Sequence, residues 1–263
     1  MQKLLSAVVI IFLLLATAVA EEWEVIKSEH FLVYYLEDKA FAKEVSKEAE
    51  KYYDRIAADL GYPRYDKFWQ WENRVKIYLY RTHEEFLQAT GKPKWVNGTA
   101  FYNEKKIVTY RWNKGFLHGL LPHELTHLIF RDFVGFPASG GGIPLWIDEG
   151  VAQWEERDKR KLVAKIVKEL IKEGDYIPLS ELVLINVADT EKNYAIVRKF
   201  YVQSVSLVGY LMNKYSAAKF TLFCRQLRDG KSVNEALSFT YTNSIRNINE
   251  LEEKWIEYYK GGR

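Results

Sequence analysis

The chain has 263 residues and a formal net charge of +3, with 48% hydrophobic and 28% charged side chains. That length makes one large domain or two small ones sharing a cleft, and so small a charge argues against a nucleic-acid partner. Removing residues 1–20, which carry one Lys and no acid, takes the charge from +3 to +2 and leaves that exclusion standing.

Residues 1–20 read as a secretory signal peptide: Lys3 gives a positive start, Leu4 to Leu15 is almost wholly apolar, and Ala18-Val19-Ala20 is a small-x-small cleavage site. The alternative is an uncleaved N-terminal anchor, since Leu4 to Ala20 is 17 residues, the short end of the range for a span. Both readings put the remainder outside the cytoplasm, secreted or periplasmic; cleavage leaves no stable membrane association. Cys224 is the sole cysteine, so no intrachain disulfide forms, and its apolar run Phe220–Cys224 marks a core thiol.

Residues 24–36 are β-rich and read as one strand, with a break near Ser28-Glu29 as the variant. His30 within it reads as structural rather than as a ligand. Asp38 caps a helix from Lys39 to about Leu60, with Phe41, Val45, Ala49, Tyr52, Tyr53 and Ile56 as its apolar stripe and Gly61 as its stop. Arg74–Tyr80 alternates as a strand, and Thr82 opens a short helix ending at Gly91. Strands at Gly98–Tyr102 and Lys106–Trp112 flank a polar turn at Asn103-Glu104-Lys105. Beyond residue 135 the pattern turns helical: Ile143–Glu156, Asp158–Lys172, Tyr194–Tyr215, Ala217–Arg228, Val233–Leu237 and Ile248–Tyr259. In the second of these, Leu162, Val163, Ile166, Val167, Leu170 and Ile171 form one side and lysines the solvated other. The class is therefore α+β, an N-terminal mixed sheet followed by a mostly helical half. No linker separates the halves, so 21–263 is one domain (21–135 α/β, 136–263 helical) with the site between them.

That site centres on His123-Glu124-Leu125-Thr126-His127. On a helix, residues four apart stand one above the other, so the two imidazoles can share an ion while Glu124, one position round, stands beside it. Two neutral nitrogens and a carboxylate to take a proton from an activated water are what a hydrolytic zinc site needs. Pro122 suits the first turn, and Leu121, Leu125, Leu128 and Ile129 give the helix an apolar stripe.

A catalytic zinc wants a third protein ligand and one open position. Phe133 stands where one large class of metalloproteases has a further His, and Phe130 where that class has Gly. Glu149 in Trp146-Ile-Asp-Glu-Gly-Val-Ala152 is the better candidate: 21 intervening residues allow a loop, Pro137–Gly142, and the return of a second helix. Asp148 points elsewhere on that helix and suits a capping or supporting role. Glu155 and Glu156, two turns on, are poorer ligand candidates.

His-Glu-x-x-His followed by Trp-Ile-Asp-Glu-Gly-Val-Ala resembles the gluzincin metallopeptidases, whose third zinc ligand is the Glu of a Glu-Gly-x-Ala segment. The nearest resemblance is to the compact peptidase MA-like group of exported proteins, related to the catalytic domain of the aminopeptidase-N superfamily. Ser28-Glu-His-Phe-Leu-Val-Tyr-Tyr35 and Leu121-Pro-His-Glu-Leu-Thr-His127 share in it. The resemblance implies a zincin-like fold, Zn²⁺ held by His123, His127 and Glu149, Glu124 as general base and a peptide or protein substrate. Phe200–Leu211 is similar to the segment that carries a catalytic Tyr in that superfamily, which puts that role on Tyr201, with Tyr194 in reserve. Two departures stand out. Gly98–Asn103 lacks the Met and the amine-gripping Glu of the aminopeptidase branch, and Gln203-Ser204 replaces its Lys-Gly. The competing readings are a non-catalytic zinc-containing binding or structural domain and a zinc hydrolase acting on a non-peptide amide.

Overall fold

The computed structural model describes residues 22–61, 69–112, 115–136, 142–186 and 194–261. The expected signal peptide and all of the expected 137–142 loop but Gly142 lie outside them. Among the described residues no helix is long and apolar enough to cross a membrane.

Residues 24–36 are two strands, β1 (Glu24–Lys27) and β2 (Phe31–Tyr35), folded back on each other rather than one. The turn at Ser28-Glu29 is closed by the Ser28 N–H donating to Phe31 O at 3.0 Å. Asp38 caps α1 (Lys39–Asp59) by accepting from the Phe41 N–H. β3 (Val75–Tyr80), α2 (His83–Thr90), β4 (Gly98–Phe101) and β5 (Lys106–Tyr110) follow. Thr82 caps α2, and Gly91 ends it in the left-handed conformation at φ 66°.

The sheet runs β1-β2-β3-β5-β4, with β2, β3 and β5 parallel and the two outer strands antiparallel. Register explains its two faces. Phe31 and Val33 pair with Val75 and Ile77, and Ile77 with Ile107; all are fully buried on the face where α1 packs. Tyr34 stacks on Tyr78 at 4.6 Å across the other face, with Trp23 edge-on to Tyr78 at 5.2 Å. β4 occupies the edge.

The second half is helical: α3 (Leu121–Val134), α4 (Leu145–Glu155), α5 (Arg160–Glu173), α6 (Leu179–Leu182), α7 (Tyr194–Tyr215), α8 (Ala217–Arg228), α9 (Val233–Thr240) and α10 (Ile248–Lys260). α4 starts two residues later than its apolar pattern suggests, because Pro144 holds extended backbone (ψ 135°) ahead of it. Asp158 lies in a 3-10 turn, Arg157–Lys159, that precedes α5. Leu162, expected on the buried side of α5, is 59% exposed. α9 runs past Leu237 to Thr240, its start fixed by a reciprocal Ser232–Glu235 cap. Cys224 is buried and unpaired, as a core thiol. One hydrophobic core takes in the inner face of the sheet, α1, α3, α4 and the later helices.

Candidate active site

α3 grows directly out of a π-helical turn, Phe116–Leu120, and ends where Gly135 turns left-handed at φ 80°. Its stripe Leu121, Leu125, Leu128 and Ile129 is buried, which anchors the helix between α1 and α4 and fixes where its remaining side chains point.

His123 and His127 meet edge to face, with ring centroids 4.8 Å apart and their Nε2 atoms 3.2 Å apart. Each ring is held from behind through Nδ1. His123 Nδ1 lies 3.0 Å from Glu156 Oε1, and His127 Nδ1 lies 3.2 Å from Asp148 Oδ1, an ion-pair contact rather than a well-aligned hydrogen bond. With Nδ1–H turned to a carboxylate, each imidazole in its neutral form presents an Nε2 lone pair toward the space between the rings. A tetrahedral ion bound at about 2.0–2.1 Å holds two nitrogens about 3.3 Å apart. The pair fits that geometry. Glu149 Oε2 stands 3.7 Å from His123 Nε2, and the three donor atoms lie within 4.8 Å of one another.

Charge around the group is concentrated on α4. Burial alone would raise the Asp148 carboxyl, but His127 and the Arg131 guanidinium, 2.8 Å away, hold it at about 2. Burial opposes charging His127, yet the Asp148 carboxylate overrides it and pushes the imidazole up to about 9. The same carboxylate makes Nε2 a stronger donor to a cation, which displaces that proton. Glu149 is raised by burial and by Asp148 and Glu124 beside it, with both histidines pulling the other way. A site crowded with carboxylates in this way favours a cation.

α4 and α7 close up through two glycines. A Cβ on Gly150 would meet Ser204 O and Val208 Cγ2 at 2.7 Å, and one on Gly209 would collide with the Trp154 ring. Gly150 adjoins Glu149, and Ser204 lies one turn beyond Tyr201, so this contact brings the Tyr201 hydroxyl under the influence of the Glu149 carboxylate. Burial and that carboxylate push it up to about 12, which keeps it a protonated donor. The side chain of Tyr194 lies outside the described residues. His30 is engaged elsewhere, 2.6 Å from Glu50 and stacked on Tyr53 at 3.9 Å.

Three participants do not stand out in the sequence. Glu156 orients His123. Arg131 holds Asp148 and stacks on Tyr102 at 3.7 Å, and Tyr102 lies edge-on to His127 at 6.3 Å. Helical spacing could have exposed the first two: Arg131 is four residues after His127, and Glu156 seven after Glu149, each on the same face as its neighbour in the site. Tyr102 follows β4 in a 3-10 turn and shares no spacing with the motif; only the fold brings it there.

A cleft of 380 Å³ opens over His123 and Glu124, between the β4 end of the sheet, α3 and the end of α4. A search of curated proteins finds no match to the chain. The family profile described as the peptidase MA superfamily matches residues 65–261, taking in the motif helix, α4 and Tyr201. By that match over most of its length, and with a His/His/Glu group able to hold a metal, the chain belongs to the peptidase MA superfamily and has a peptidase-type domain.

Proposed function

We propose that the chain is an exported zinc metallopeptidase of the gluzincin type, with residues 21–263 working as one peptidase domain. The observation that carries this is the pair of facing Nε2 atoms, 3.2 Å apart, with the Glu149 carboxylate beside them and an open cleft in front. The composition of residues 1–20 supports export, and the core shared by both halves supports a single domain.

His123, His127 and Glu149 would hold the ion. Zinc bound there supplies a water acidified toward neutrality and a Lewis acid for the scissile carbonyl. Glu124 takes the proton of the attacking water on its carboxylate and passes it to the amine nitrogen as the C–N bond breaks. Tyr201 donates its hydroxyl hydrogen to the carbonyl oxygen as negative charge develops there. Asp148 and Glu156 keep both imidazoles turned toward the ion. Among the described residues β4 is an edge strand, and its outer backbone N–H and C=O groups would pair with an extended peptide adding itself to the sheet.

The test pairs metal analysis of the 21–263 protein with cleavage of a proteome-derived peptide library, with and without a chelator. One zinc per chain and chelator-sensitive cuts are expected. Absence of zinc binding sinks the reading; zinc without cuts moves it to a non-peptide amide or a binding role.

A further inference from the structure

The cleft over His123 and Glu124 has a wall that peptide-bond chemistry alone does not require. Trp95, Val96, Trp112 and Leu120 make it apolar, with Gly98 and Gly119 as its thin points. Trp95 is 73% exposed, a large ring left open to water on the cleft lining. Trp112 is packed against Tyr110. A side chain on Gly98 would run into Leu120, so the edge strand lies flush against the start of α3. A Cβ on Gly119 meets no described atom within 4 Å, so space beside the cleft is left open there. Charge is poorly served: Lys159, the cation on the lining, is already paired with Glu156.

We infer that this groove is a specificity pocket for a large apolar side chain, aromatic or branched aliphatic, on a substrate residue next to the scissile bond. The inference rests on the peptidase reading above. It makes Trp95, Trp112 and Gly119 determinants of selectivity, with no part in the bond-breaking step.

The test is a binding measurement that needs no turnover. Zinc-loaded Glu124→Gln protein is titrated into fluorescein-labelled glycine-rich hexapeptides carrying Phe, Ala or Glu at one internal position, read by anisotropy. The Phe peptide should bind at least about ten-fold more tightly than the Ala or Glu peptide. Gly119→Leu should fill the pocket and erase that advantage while zinc content stays the same. Trp95→Ala, a truncation at an exposed site that does not threaten folding, should reduce the advantage several-fold. Equal binding of Phe and Ala peptides, or an advantage that survives both Gly119→Leu and Trp95→Ala, overturns the proposal. Library cleavage by the wild-type protein separates the two readings. Cuts without any apolar preference overturn the pocket and leave the peptidase; selective binding without cuts upholds the pocket and sinks the peptidase.

Discussion

The two ends of α4 each bury a carboxylate, and their surroundings drive them in opposite directions. Asp148, in the first turn, meets Arg131 at 2.8 Å and His127 at 3.2 Å, and its carboxyl is held at about 2. Glu155, in the last turn, is fully buried, but Arg55 and Arg160 stay 3.5 and 3.6 Å away and Asp59 adds a like charge. There burial dominates, and the carboxyl is pushed up to about 7. Helix, burial and residue type are nearly the same; the reach of the partner decides. At the first turn the result is an ionised carboxylate that can orient a metal-binding imidazole. At the last turn it is a loosely paired ion cluster whose Arg157–Asp59 neighbour pair ties α1 to the turn after α4.

The largest expected effect lies beside the first turn. Glu124→Gln should lower peptide hydrolysis by about 10²–10⁴-fold while zinc content stays at the wild-type level. Full activity in that variant would end the assignment of Glu124 as base. Next come the paired substitutions that test the contrast itself. Asp148→Asn leaves Arg131 and His127 without their buried partner and should cost about 3 kcal/mol in urea unfolding of the metal-free protein. It should also weaken zinc binding by about 10–100-fold. Glu155→Gln in the same assay should stabilise the protein at pH 8, by up to about 3 kcal/mol. If both substitutions destabilise alike, the contrast between the two ends is wrong.

The pH dependence sharpens it. For Glu155 the folded value, about 7, lies above the unfolded 4.5, so the folded state holds the extra proton between them. Its contribution is complete below pH 4.5 and is lost as pH rises through 7. Asp148 has the reverse sign: its contribution is present above the unfolded 3.8 and disappears as pH falls through 2. Unfolding free energies from pH 4.5 to 8 should therefore show a downward component that Glu155→Gln removes. The smallest effect belongs to the α4–α7 crossing. Gly150→Ala should cost about 1–3 kcal/mol by overpacking against Ser204 and Val208, and should lower turnover by shifting Glu149 against Tyr201. Unchanged stability there would show that α7 can step aside.

The helices and strands were legible because their signals are local. Asp38 and Thr82 are cap residues that bond within their own first turn, and the alternation of residues 75–80 records one buried face. The grouping of His123 with His127 follows from the pitch of a helix alone, and Glu149 from a short motif. Signals that depend on packing misled or stayed silent. Apolar periodicity on α5 reads Leu162 as core, but the side chain is exposed while its neighbour Val163 packs against the core. The break after Lys27 needed the pairing of β1 with β2 to decide it.

From the sequence alone, then, came the elements, the helical pitch that stacks two imidazoles, and the residue types that suit zinc and hydrolysis, because each is set by contacts within a few residues. Tertiary structure alone decided which carboxylate stands behind which imidazole, that Tyr102 braces the site, and that Trp95 and Trp112 wall the cleft. Those pairings join residues from separate elements, and their distances depend on how closely helices and sheet pack, which no local pattern encodes.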